Sequence, residues 1–135
     1  MSGPFRLGEE DRRRFDALLE EVLAELPEDL LARFEEIPLI VEDAPPPRLM
    51  RQLGVEHPQD LCGLHTGVAL TERSVELSGV PTDEIHIFRL GVIAAAGGPR
   101  APRQRLLREI RVTLLHELGH HFGLDEQDLD ELGYG

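Results

Sequence analysis

From Pro102 to Gly123 apolar residues return at three- and four-residue intervals, at Leu107, Ile110, Leu114 and Leu118. That spacing predicts a long amphipathic helix with one face in a core. Pro102 suits its first turn and Gly123 its end. Into this helix the chain sets His116, Glu117 and His120, none of which the apolar stripe accounts for. Residues four apart on a helix stand one above the other, so His116 and His120 share a face. Whatever the rest of the chain does, it must pack this helix while leaving that face able to act.

Two imidazoles one turn apart can converge on a single zinc ion at about 2.0–2.1 Å. Glu117 is rotated about 100° from His116 around the helix axis, which suits a base acting on a metal-held water better than a third ligand. A carboxylate next to two histidines near a core is costly without such a partner. A third protein ligand is still required. Gly123 can turn the chain back by adopting a positive φ, and Asp125 and Glu126 follow it as carboxylate candidates. Spacing alone leaves both open.

The other histidines carry weaker signals. His121 points away from the ligand pair and reads as a structural or capping residue near the helix end. His65 lies between Gly63 and Gly67, where a surface position is expected and a hydrogen bond to a reacting oxygen is the alternative. His57 precedes Pro58 and reads as a loop residue; His86 is expected on the exposed face of its strand. Tyr134 is expected to pack, not to act as an acid. Arg103, Arg105, Arg108 and Arg111 with Glu109 are expected to form a solvated helix face.

Upstream, Phe15, Leu18, Leu19, Val22, Leu23 and Leu26 share a helical face. Pro27 ends that helix and begins a short second one carrying Leu30, Leu31 and Phe34. Pro38 to Val41 reads as a buried strand, Pro45 to Pro47 as a stiff extended connector, and Arg48 to Gly54 as a helical turn. Leu61 to Leu70 suggests a short strand with a bend, Thr71 to Asp83 a loop, and Ile85 to Arg89 a strand. Gly91 to Pro99 is small and apolar with no decisive period. A short helix from Glu126 to Leu132 is expected to close the chain. Helices, then strands, then helices give an α+β fold, with a small mixed sheet packed on helices and the metal helix near the C-terminus.

At 135 residues, 41% of them hydrophobic, the chain is expected to form one domain over 1–135. No apolar run reaches the roughly 18 residues of a membrane span, and Met1 to Arg14 lacks the apolar core of a leader, so a cytoplasmic protein is expected. The net charge of −12 argues against nucleic-acid partners. Cys62 is the single cysteine, which excludes an internal disulfide and a cysteine-rich zinc site; it is expected to be a small buried hydrophobe. Asn is absent, which suits a thermophilic source, whereas all 14 basic residues are Arg, against the Lys enrichment of hyperthermophiles; a GC-rich genome would give the same bias.

The run His116-Glu117-x-x-His120-x-x-Gly123-x-x-Glu126 resembles the extended zinc motif of the bacterial minimal zincins, a zincin-like metallopeptidase family. The segment Gly67 to Ser74 and the strand Ile85 to Arg89 are similar to parts of that family as well. The resemblance implies a compact zincin domain, one Zn2+ per chain held by His116, His120 and Glu126, and Glu117 as general base. The family usually has Asp at the last motif position, so Asp125 stays as the alternative ligand to Glu126. It further implies that a peptide or unfolded protein pairs with an edge strand above the metal helix. Ile85 to Arg89 and Leu64 to Leu70 are the two candidates for that strand. With methionine only at positions 1 and 50, the Met-containing turn of metzincins is excluded. The function implied is peptide-bond hydrolysis. The alternative is a zincin-shaped metal-binding or protein-interaction module with a specific protein partner and little proteolysis.

Overall fold

The fold comes from a computed structural model that describes residues 6–66, 84–121 and 127. The expected loop over 71–83, the family-like segment 67–74 and the closing helix over 126–132 fall outside these residues. So do Gly123, Asp125, Glu126 and Tyr134.

The first helix, α1 (Glu9–Glu25), opens on Glu9, Glu10 and Asp11, whose charges oppose the positive end of the helix dipole. Asp11 also accepts a hydrogen bond from the Gly8 N–H at 2.9 Å. Phe15, Leu18, Leu19 and Val22 form its buried stripe, as their spacing requires. Pro27 caps α2 (Glu28–Glu36), which buries Phe34. The strand β1 (Leu39–Glu42) follows. The three prolines then divide their work: Pro46 caps α3 (Pro47–Leu53) and Pro47 is already helical. The expected extended connector is therefore shorter than its composition suggested, because proline at a first helical position loses no hydrogen bond.

A single 3-10 turn at Pro58–Asp60 leads into β2 (Gly63–Thr66). The strand β3 (Glu84–Phe88) runs directly into α4 (Arg89–Ala95), and α5 (Arg103–His121) is the long helix. The sheet order is β1-β3-β2, with β1 parallel and β2 antiparallel to β3. The architecture is α+β, as the order of elements implied.

Two sequence expectations change here. The strand over Ile85 to Arg89 stops at Phe88 and lies in the middle of the sheet, not at its edge. Its residues explain why: Ile85, Ile87 and Phe88 are fully buried, so both faces of β3 are covered. Arg89 instead opens α4. Its guanidinium donates two hydrogen bonds to Asp16 of α1, at 2.9 and 3.0 Å, and one to Asp43 after β1, at 3.0 Å. Arg12 reaches the other oxygen of Asp43 at 2.8 Å. Burial acts to lower the Arg89 pKa, but its bonds and charge attraction to Asp16 and Asp43 outweigh that and raise it.

The undecided stretch from Gly91 is α4. It packs so close to the chain before β2 that a Cβ on Gly91 would lie 2.0 Å from the Leu61 carbonyl oxygen. On α5 the buried residues include Leu106, Ile110, Thr113, Leu114, Glu117 and Leu118. Leu106, not Leu107, is the fully buried member of the first turn, while Leu107 packs only partly on the core. Ile110, Leu114 and Leu118 are buried as expected, and Glu117 lies on the same covered face. Among the described residues no helix is long and apolar enough to cross a membrane.

Candidate metal centre

Helix α5 positions the three residues that the sequence singled out. One donor atom from each of His116, Glu117 and His120 lies within 4.8 Å of the other two. The imidazole rings of His116 and His120 meet edge to face, their centroids 4.5 Å apart. Glu117 Oε1 is 3.2 Å from His120 Nδ1. The 100° turn between His116 and Glu117 therefore does not take the carboxylate out of the cluster, because its oxygen meets the ring of His120, three residues on. Imidazole and carboxylate are zinc donors, and three of them converging from one helix fit that ion.

Burial separates the roles. His116 and His120 are half-buried, whereas Glu117 is 5% exposed. What covers Glu117 is β2. A Cβ on Gly63 would lie 3.1 Å from Glu117 Cγ and 3.0 Å from Thr113 Cγ2. Only a residue without a side chain lets the strand backbone lie this close to the helix. Thr113 is held in turn by its hydroxyl, which donates to the Glu109 carbonyl at 2.7 Å. Gly63 was not recognised from the sequence as part of the site. Its signal was available, since a glycine inside a strand often marks a close backbone approach.

The remaining histidines are placed as follows. His65, expected on the surface, is half-buried on β2, and its ring meets that of His121 edge to face at 5.5 Å. His121 is 6% exposed, so it is a packed residue of the helix and no solvated cap. His86 does not stand on a fully open face. Its side chain is 15% exposed, with Nδ1 at 3.3 Å from Glu42 and Nε2 at 3.1 Å from Glu84. Glu42 comes from the neighbouring strand β1, which the single-strand pattern could not show, and Glu84 from two residues earlier on β3 itself. His57 is exposed before the 3-10 turn, as expected. Arg103, Arg105, Arg108 and Arg111 are exposed, with Arg103 paired to Glu21 of α1.

Cys62 precedes Gly63 and packs partly against the core. Burial, reinforced by the charges of Glu109 and Glu117, pushes its thiol up to about 11. It is therefore a neutral thiol at physiological pH and no nucleophile.

The helix bearing this cluster lies against β2 of the small mixed sheet. The family profile of zincin-like metallopeptidases matches residues 34–135, and the chain belongs to that family. No curated protein matches the chain.

Proposed function

We propose that the protein is a zinc-dependent metallopeptidase that hydrolyses peptide bonds. His116 and His120 hold the ion, with Glu126 as third ligand and Asp125 as the alternative. The single observation that carries this reading is the convergence of His116, Glu117 and His120 within 4.8 Å in a chain of this family. When bound, zinc polarises the scissile carbonyl and lowers the pKa of the attacking water to about 7.

Glu117 accepts the proton of that water on a carboxylate oxygen and passes it to the leaving amine nitrogen, as a C–O bond forms and the C–N bond breaks. Its burial beneath β2 limits competing water and strengthens its electrostatic action. His65 is a candidate donor to the oxygen on which charge develops. A peptide or unfolded segment aligns along an edge strand. Among the described strands β3 is central and β2 is the outer one beside α5, and it takes that role. The acidic chain does not act on nucleic acid.

The test joins zinc analysis to a peptide-library assay. One zinc per chain, with cleavage that disappears in Glu117→Gln while zinc is retained, supports the mechanism. Cleavage that survives Glu117→Gln rejects it. Stoichiometric zinc with no peptide cleaved and a specific protein captured would assign the chain to the interaction-module reading instead.

A further inference from the structure

The strand β2 touches α5 at two points on one side. Gly63 lies against Glu117 and Thr113, and His65 lies against His121. The spacings agree: two strand residues advance about 6.7 Å, and the four helical residues from Glu117 to His121 rise about 6 Å. Strand and helix therefore run in step, one contact per helical turn.

The hydrogen bonds of the sheet fix what the strand's other edge offers. Phe88 N–H donates to the Cys62 carbonyl at 2.8 Å. Leu64 pairs with His86 and Thr66 with Glu84 in the same register. In an antiparallel pair such residues alternate with those that turn their N–H and C=O away. Gly63 and His65 are the latter. The two residues whose side positions fix β2 on the metal helix are thus the two whose main-chain groups face away from β3.

We infer that His121 is a positioning residue. Through His65 it locks β2 onto the metal helix in the register that Gly63 sets at Glu117, and so fixes where a docked peptide backbone lies relative to the general base. This rests on the peptidase reading above. The ring of His121 acts by packing, as an edge-to-face aromatic pair. Its neighbour His120 belongs to the metal cluster; His121 belongs to the strand.

The test uses the zinc-loaded full chain and a quenched extended peptide, with the variants His121→Ala and His121→Phe. His121→Ala raises KM about tenfold, with kcat and zinc affinity (by chelator competition) each within about threefold of wild type. His121→Phe keeps an edge-on ring and returns KM to within about threefold of wild type. Amide exchange reads the same contact without turnover: the Leu64 and Thr66 amides exchange at least about tenfold faster in His121→Ala, while α5 stays protected.

Unchanged β2 exchange or unchanged KM in His121→Ala overturns the inference. Should His121→Ala fail to fold, His121→Leu fills the space without an aromatic edge and is judged by the same outcomes. A wild-type protein that holds zinc but cuts no peptide rejects the peptidase reading, and the exchange measurement alone then decides the clamp.

Discussion

Glu117 occupies a position that the α5 stripe would otherwise give to a leucine. Only 7% of its side chain is exposed, and its oxygen lies 3.2 Å from His120 Nδ1. A carboxylate is costly in such a place, and the proposed role as general base gives it a function there. Glu117→Gln keeps the shape and removes the base, so cleavage should fall by at least about a hundredfold with zinc content unchanged, measured by kcat and metal analysis on the same preparation. Cys62 gives a second prediction at this scale. Its thiol rises from an ordinary 9.0 to about 11 in the fold, so the native state binds the proton that the unfolded chain releases first. The stabilisation is complete below pH 9 and is lost as pH rises toward 11. Urea midpoints should therefore fall across that window in the wild type and fall less in Cys62→Ala. Slow alkylation of the native protein at neutral pH is the companion observation.

The helices and strands show which relations single-chain patterns carry. Phe15, Leu18, Leu19 and Val22 announced α1, and the His116–His120 spacing placed both rings on one face of α5, because each depends on helical period alone. The run after Gly91 did not announce α4. Its small apolar residues fit strand and helix equally, and what settles it is the approach of α4 to Leu61. Gly91→Ala should therefore destabilise the protein by about 2–3 kcal/mol, since the obstructing atom is backbone and cannot rotate aside. Denaturant unfolding checks this. Arg89 was read as strand because it follows alternating residues, yet its position is decided by Asp16 and Asp43, which are remote in sequence. Arg89→Met removes the link between α1, the end of β1 and α4. A loss of about 2 kcal/mol is expected, moderated because Asp16 is half-exposed and can be rehydrated.

Across the whole molecule, the α+β order, the long helix α5 and the grouping of His116, Glu117 and His120 on it were readable from periodicity and motif. The cover over Glu117 was not, because it depends on Gly63 and Thr113 meeting across two elements. The central place of β3 was not readable either, since a five-residue strand does not reveal how many neighbours it has. The α5 arginines read as a solvated face, and they are one; the pairing of Arg103 with Glu21 also ties that face to the acidic side of α1.

The account depends on His116 and His120 sharing one ion beside Glu117. Crystals of the full chain soaked in zinc, with anomalous scattering recorded at the zinc edge, test this directly. The expected result is a single strong peak per chain, bonded by both imidazoles at about 2.0–2.1 Å and by a carboxylate from Glu126 or Asp125. Zinc found elsewhere, or no peak between the two rings at saturating metal, would contradict it.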